Sequence, residues 1–544
     1  MELMFFYLLI ILSAIGIIHL FRTKSVIPIT ITDITVFAFL LYSLLYIGIV
    51  QGFRCDPFVW FKWTAVTSVY FFFRRLKKPL IVLYSIVLYG LFQSVVAIGQ
   101  ALSLLHSLHR FFAVTGTIGN PGPLGGFLAV ATVCCVALFR QSLQDKKTRW
   151  ALANGFITCF LIIGLLLTDS RAAFLSVPAG LLIVWVDKVC ELFKKYKTVS
   201  VITFIVTTVT LSSILYLYRP ASADARLLIW RVSAGMIADN PLFGHGVGAF
   251  DREYMLYQAA YFERHPQSSF VMVADNAAYP YNEFFHVLIE LGIVGGFLLV
   301  TVFIAGLACN SFGIINRSLK AGLAVFIIFS LFSYPTEIFE LLLLPVTLLG
   351  TLPGKSVYSL RIVRRMKPAC ISLLIGIIFF SILGTSVLHK IYLEIKQLTI
   401  SDIQIPTPYC DRYFSVFVYN DDFNSAYLSA LCRLPCRPDY WPKIKNIFPS
   451  SETFCRLGEA CEYSGQYEQA EQFYRKAANM VPTRISPNYY LWKLYVKLGN
   501  HNQARTMAQK ILSQPVKVEN TFTLRVKGQI RQYYISPDFS NFAK

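Results

Sequence analysis

Four residues with chemistry to offer stand where the apolar runs of this 544-residue chain break. Arg171 follows Asp169 in LTDSRAAFL, Arg226 opens RLLIW, and Glu283 and His286 lie in YPYNEFFH at 279–286, where a new apolar run begins. A guanidinium is a planar fork whose paired N–H groups match two oxygens of a phosphate. A carboxylate or imidazole within reach of a hydroxyl can take its proton. The combination suits an anionic, phosphate-bearing substrate and an acceptor hydroxyl. Each residue also has a plainer reading. Arg171 can be a snorkelling anchor or a partner of Asp169, and Arg226 a solvated residue beside Leu227, Ile229 and Trp230. Glu283 can be an interface carboxylate and His286 a satisfied intramembrane histidine. Glu263 and His265 in YFERHP offer a loop alternative for proton transfer, and Arg219 and Arg231 are secondary cations. The Gly-rich GHGVG at 244–248 follows no strand and lacks the Lys-Ser or Lys-Thr of a nucleotide-binding loop, so it is expected to be a close turn. NPGPLGG at 120–126, opened by Asn120, reads as a helix start able to turn backbone amides toward an anion. No histidine stands near the cysteines at ligand spacing, and no metal site is expected.

The elements that position these residues follow from composition. With 55% hydrophobic residues, 15% aromatic residues and a mean hydropathy of +0.55, the chain has more apolar surface than a soluble domain can bury. The formal charge of +20 is spread between apolar runs instead of forming one stripe, which argues against a nucleic-acid partner. The expected fold is all-α, a polytopic bundle of about twelve transmembrane helices. Its spans are placed at 1–21, 31–50, 58–73, 80–105, 124–139, 151–168, 172–186, 199–218, 284–308, 321–332, 341–352 and 369–388, two of them short enough to be tilted pairs or half-helices. Arg22 and Lys24, RRLKK at 74–78, Lys146, Lys147 and Arg149, Lys194, Lys195 and Lys197, Arg317 and Lys320, and Arg361, Arg364 and Arg365 fall on one set of connections, which is therefore cytoplasmic. The opposite face then holds TGTIGNPGP (115–123), DSR (169–171), the polar stretch 219–282, SYPTEIFE (333–340) with Tyr334, and everything after 388. By the same count the N-terminus is also outside. Residues 1–21 have no basic leader and no small-residue cleavage site, so a cleaved signal peptide is not expected.

The chain is expected to divide into a membrane domain at 1–390, an irregular linker at 391–450, repeats at 451–515 and a terminal tail at 516–544. Phe454, Leu457, Gly458, Cys461, Gly465, Ala470, Tyr474, Ala477 and Pro482 fit the tetratricopeptide pattern, and Leu491, Tyr495, Gly499, Ala504 and Ala508 repeat it thirty-four residues on. Two such units bury too little alone, so flanking helices or the membrane domain must cap them. The repeats point to peptide or protein contact, or to a buttress for the outer loop. Of the tail cysteines, Cys410, Cys432 and Cys436 could join disulfides of open connectivity, whereas Cys455 and Cys461 sit at helix-packing positions.

The stretches GTIGNPGPLGGFLA, LTDSRAAFL, ARLLIWRVSAGMIADNPLFGHGVGAF and YNEFFHVLIELGIVGG resemble the O-antigen ligase superfamily, which includes O-antigen ligases, repeat-unit polymerases and protein O-oligosaccharyltransferases. YMLYQAAYF at 254–262 and the repeat tail are similar to the branch found in Bacteroidota. The resemblance implies en bloc transfer of an oligosaccharide from undecaprenyl diphosphate at the periplasmic face of the inner membrane, with no metal, nucleotide sugar or other cofactor. It carries the two diphosphate-binding arginines onto Arg171 and Arg226. On the residues themselves, Asn282 and Glu283 are expected to orient or deprotonate the acceptor, Tyr334 to line the same cavity, and Asn120 to be a further substrate-binding candidate. Many members place a His immediately before Asn-Glu; here that residue is Tyr281, a weak base near neutral pH. Glu283, Tyr281 and His286 are thus the catalytic candidates. A periplasmic repeat tail favours a protein hydroxyl as acceptor, ahead of lipid A core ligation for lipopolysaccharide and of polymerisation. A transporter or flippase of lipid-linked glycans, and a non-catalytic scaffold, are the rivals from other classes.

Overall fold

The computed structural model describes residues 26–52, 57–76, 78–309, 313–361 and 449–535, with a few isolated positions between 383 and 394. The expected spans at 1–21 and 369–388, nearly all of the linker, and Cys410, Cys432 and Cys436 lie outside the described residues. Strand β1 (Val26–Thr30) leads into α1 (Ile31–Leu45), which continues as a π-turn at Tyr46–Val50. There follow α2 (Pro57–Leu76), α3 (Pro79–Ala101), α4 (Pro121–Gln144), α5 (Thr148–Leu167), α6 (Arg171–Val184), α7 (Val186–Lys195) and α8 (Lys197–Tyr218). The polar stretch forms α9 (Pro220–Asp239) and α10 (Ala249–Arg264). Then come α11 (Glu283–Ala308), α12 (Ile314–Ser330), α13 (Phe339–Thr351) and β2 (Ser356–Arg361). The tail forms α14 (Ser451–Tyr463), α15 (Tyr467–Met480), α16 (Ile485–Lys497), α17 (His501–Ser513) and α18 (Thr521–Ile535). The chain divides into two compact units. One holds α1–α8 and α11–α13 with both strands, and the other holds α9, α10 and α14–α18.

In the first unit five helices are long and apolar enough to cross a membrane: Ile31–Val50, Pro79–Ala101, Pro121–Gln144, Thr148–Leu167 and Glu283–Ala308. A sixth span is possible if α6 and α7, bent by 83° at their junction, count as one. The chain is a multi-pass membrane protein, but the twelve expected spans are not reached by length and composition among the described residues. The run expected at 58–73 lies in α2, which carries Lys62, Arg74 and Arg75. Those expected at 321–332 and 341–352 fall in α12 and α13, of 17 and 13 residues, and α13 is interrupted by Pro345. A second departure from the all-α expectation is the antiparallel pairing of β1 with β2.

Helix α4 is buried along most of its length. Without water to drive apolar faces together, helices in lipid gain by close backbone approach at small residues. Accordingly, a Cβ on Gly126 of α4 would lie 2.5 Å from the Phe329 ring of α12. One on Gly180 of α6 would lie 2.5 Å from Val325 of α12 and 2.7 Å from Val133 of α4. At the far end of α2, Arg74 Nε pairs with Asp33 of α1 at 2.9 Å, and the Tyr70 hydroxyl donates to the same carboxylate at 2.7 Å. These bonds tie α1 to α2.

The second unit contains the expected repeats. Gly465 and Gly499 turn at φ of +78° and +69°, and Ala470 and Ala504 are fully buried between antiparallel helices. A Cβ on Gly458 would meet the Tyr474 ring at 2.4 Å, so α14 and α15 touch backbone to ring. Cys455 and Cys461 are buried thiols at packing positions, and burial pushes the Cys455 thiol up to about 12. The stack is extended on two sides. Helix α18 adds Val526, Ile530 and Tyr533 to the repeat core, and α10 packs on α15. Gln258 of α10 donates to the Met480 carbonyl at 2.6 Å and to the Asp275 carbonyl at 3.1 Å. Asp275 in turn pairs with Arg484 at 3.4 Å and Lys517 at 3.1 Å. Additional layers supply the apolar contact that two repeats lack alone.

Candidate functional site

Three helix starts in the membrane unit come together. Asn120 caps α4: its side-chain oxygen accepts from the Gly122 amide at 2.9 Å, with Pro121 pre-set for the first turn. The start of α6 touches it, since the Ser170 hydroxyl donates to the Gly122 carbonyl at 3.3 Å and a Cβ on Gly125 would lie 2.5 Å from that of Ser170. Asn282 caps α11, accepting from the Phe284 and Phe285 amides at 3.0 and 3.1 Å. Tyr334 joins these pieces. Its hydroxyl accepts from Asn120 Nδ2 at 3.2 Å, and its ring meets Tyr281 edge-on with centroids 5.3 Å apart. Tyr281 itself has φ of +50°, the left-handed region that a non-glycine residue adopts only under local constraint. Each helix start carries the positive end of a peptide dipole and amides without helical partners, which favour negative charge.

Arg171 is the first residue of α6 and half-buried. Its Nη1 donates to the Arg219 carbonyl at 3.2 Å. The exposed Arg219 side chain pairs with Asp169, whose φ of +52° turns the chain sharply before α6. Two guanidiniums and one carboxylate thus stand at this helix start. Arg219, a secondary candidate in the sequence, is structurally the neighbour of Arg171.

The proton-active residues lie on the first turns of α11. Glu283 is 6% exposed. Its Oε1 accepts from the Thr336 hydroxyl and faces His286 Nδ1 at 3.5 Å, while Oε2 is buried with no hydrogen-bond partner among the described residues. His286 Nε2 lies 3.2 Å from Glu290 Oε1. Next to Thr336, Glu337 pairs with Lys62 of α2 at 3.2 Å. The helix bearing this set is broken. Gly292 has φ of +65° and ψ of −168°, outside any helix, and the Tyr42 hydroxyl of α1 donates to the adjoining Leu291 carbonyl at 3.0 Å. Residues 283–291 are therefore a half-helix, with Glu283, His286 and Glu290 on one face.

Asn120, Arg171, Tyr281, Asn282, Glu283, His286 and Tyr334 thus all belong to the membrane unit, and direct contacts connect most of them. Arg226 belongs to the other unit. It sits half-buried on α9 beside the buried Leu228 and Ile229, and Trp230 anchors that helix by donating to the Pro280 carbonyl at 3.0 Å. His265, at the end of α10, stacks on Tyr261 with Nδ1 3.0 Å from the Tyr261 carbonyl, and both it and Glu263 are exposed. The GHGVG run is a turn with Gly244, Gly246 and Gly248 at positive φ, where Gln51 bonds both the amide and the carbonyl of Val247. Sequence reasoning missed Glu290 and Thr336. The first was legible as the i+4 partner of His286, and the second lies in the SYPTEIFE segment that supplied Tyr334. Among the described residues no group of His, Cys, Asp and Glu is arranged to hold a metal ion.

Residues 156–300 match the family model of O-antigen ligase, and residues 451–483 match that of the tetratricopeptide repeat. The first match contains Arg171, Arg226, Tyr281, Asn282, Glu283, His286 and Glu290. No curated protein matches the chain.

Proposed function

We propose that this member of the O-antigen ligase superfamily moves an oligosaccharide en bloc from an undecaprenyl diphosphate carrier to an acceptor hydroxyl on the periplasmic face of the inner membrane. The observation that supports the reading is the linkage of the starts of α4, α6 and α11 in the membrane unit through Ser170–Gly122, Asn120–Tyr334 and Tyr334–Tyr281 contacts, with Arg171 opening α6 and Glu283, a buried carboxylate with one oxygen lacking a hydrogen-bond partner among the described residues, opening α11. In the reaction the acceptor oxygen bonds to the anomeric carbon as the bond from that carbon to the diphosphate breaks, and the electron pair leaves with the diphosphate. Arg171 neutralises the charge that develops there, aided by the positive end of α6. The acceptor proton goes to Oε2 of Glu283. Tyr281 stands where many family members carry a histidine. As a phenol it is a poor base, and its ring packs on Tyr334, which bonds Asn120. Arg226 is the second arginine assigned to the diphosphate by resemblance, and its substitution tests that role separately.

The repeat tail, thickened by α10 and α18, is a surface suited to protein contact. It favours a Ser or Thr hydroxyl of a periplasmic protein as acceptor over a sugar hydroxyl of lipid A core. Purified protein incubated with labelled undecaprenyl diphosphate glycan and either acceptor should place the label on protein. Label on lipid A core would reassign it as an O-antigen ligase. A broken helix with buried ionisable groups also suits a transporter. Glycan still joined to its carrier but moved across a vesicle membrane would establish that reading and end the transferase proposal.

A further inference from the structure

Glu290 has no part in the transfer step as written, although it is a half-buried carboxylate in an apolar helix, where an ionisable group is costly to keep. Its Oε1 lies 3.2 Å from His286 Nε2, and the other ring nitrogen faces Glu283 Oε1 at 3.5 Å. The spacing is dictated by the helix, since residues 283, 286 and 290 fall on one face at i, i+3 and i+7. A second hold on the same oxygen comes from the Thr336 hydroxyl. The result is an asymmetric carboxylate: Oε1 is engaged from two sides, and Oε2 is buried with no hydrogen-bond partner among the described residues.

We infer that Glu290 is a positioning residue for glycan transfer: it anchors the His286 ring, which together with Thr336 fixes Oε1 of Glu283 so that Oε2 alone is presented to the acceptor hydroxyl. The proposal rests on Glu283 being the base. It deepens that reading by explaining how a flexible glutamate takes the place of the ring that many family members use. Other charged or titratable groups on the surrounding elements are Glu337, its partner Lys62 on α2, and the phenols Tyr42 and Tyr46 that α1 brings toward α11. None of these bonds the free oxygen.

The test measures kcat, the acceptor KM and donor affinity for Glu283→Gln, Glu290→Ala, Glu290→Gln and the double variant Glu283→Gln/Glu290→Ala. Glu290→Ala should lower kcat about ten- to a hundred-fold, a share of the roughly 10²–10⁴ that a positioned base contributes, with acceptor KM and donor affinity within about two-fold. Glu290→Gln, whose amide oxygen can still accept from the ring, should recover part of that loss. In the Glu283→Gln background, Glu290→Ala should cost nothing further, because a residue that acts through another has no effect once that other is gone. Full kcat in Glu290→Ala, or an equal further loss in the double variant, would overturn the proposal while leaving Glu283 as base. Wild-type turnover in Glu283→Gln would instead remove the base reading itself. Should Glu290→Ala not fold, His286→Gln with and without Glu283→Gln reads the same coupling, with the same two results for and against.

Discussion

Replacing Gly292 by alanine probes the device on which the half-helix depends. At φ of +65° and ψ of −168°, Gly292 occupies a region open essentially to glycine alone, and a side chain there costs about 1–3 kcal/mol. The chain can escape that strain by letting α11 run straight. Glu283 lies nine residues before the break, about 13 Å from the pivot at 1.5 Å per residue. A swing of roughly 10° would then carry its carboxylate about 2 Å from Thr336, by the same geometry. Since a misplacement of about 1 Å can cost about a hundred-fold in rate, kcat for glycan transfer should fall by about a hundred-fold or more. If the donor diphosphate is held at the start of α6 as proposed, its affinity should change by less than about two-fold, because binding that is equal in ground and transition states is untouched by moving the base. The assay is steady-state transfer from the polyprenyl diphosphate glycan in detergent, paired with equilibrium binding of that donor. Turnover of Gly292→Ala at the wild-type rate would refute the argument that the break positions Glu283.

Two more outcomes follow from particular contacts. Gly125→Ala should push the start of α6 away from α4, since the new Cβ would fall 2.5 Å from that of Ser170; weaker donor binding with acceptor KM unchanged is expected, and unchanged donor affinity would contradict it. His245, with a 7% exposed side chain, lies 2.9 Å from the Glu253 carboxylate and 2.8 Å from the Met236 carbonyl, two acceptors that ask both ring nitrogens to donate. The bond to Glu253 raises its pKa, burial lowers it by less, and the Met236 carbonyl raises it again, so the folded value lies above the usual one. Stability from this group is therefore complete below about pH 6.5, its ordinary titration point, and is lost as pH rises through the folded value. Thermal unfolding across that range should show the slope in the wild type and not in His245→Gln.

Much of the architecture was legible because it rests on short-range physics. Gly465 and Gly499 mark turns, and Ala470 and Ala504 mark helix contacts at a thirty-four-residue period, so the repeats could be placed in register from sequence. Asn120 and Asn282 stand before helices as capping residues do, and both cap. What escaped depends on tertiary contact. The sequence ELGIVGG offers three glycines, and nothing local says that Gly292 breaks the helix while Gly295 and Gly296 continue it. The run expected at 172–186 falls almost wholly in α6, whereas the Lys-bearing stretch after it, which reads as a connection, forms α7 beyond a bend of 83°. Helix α10 reads as part of a polar loop, and its role as a further layer on the repeats becomes visible only through bonds such as that from Gln258 to Met480. At the site, residue types pointed to Arg171, Glu283 and His286. The division of labour between the two oxygens of Glu283 required the position of Thr336, fifty-three residues away.

The claim that everything else presupposes is that the guanidinium at the start of α6 holds the diphosphate of a lipid carrier. Binding of undecaprenyl diphosphate glycan to the purified protein, compared between wild type and Arg171→Ala, tests it directly. Loss of a charge-assisted hydrogen-bonding partner, worth about 1.5–3 kcal/mol, predicts affinity weaker by roughly ten- to a hundred-fold, with Arg171→Lys in between. Equal affinity in Arg171→Ala and wild type would contradict the account.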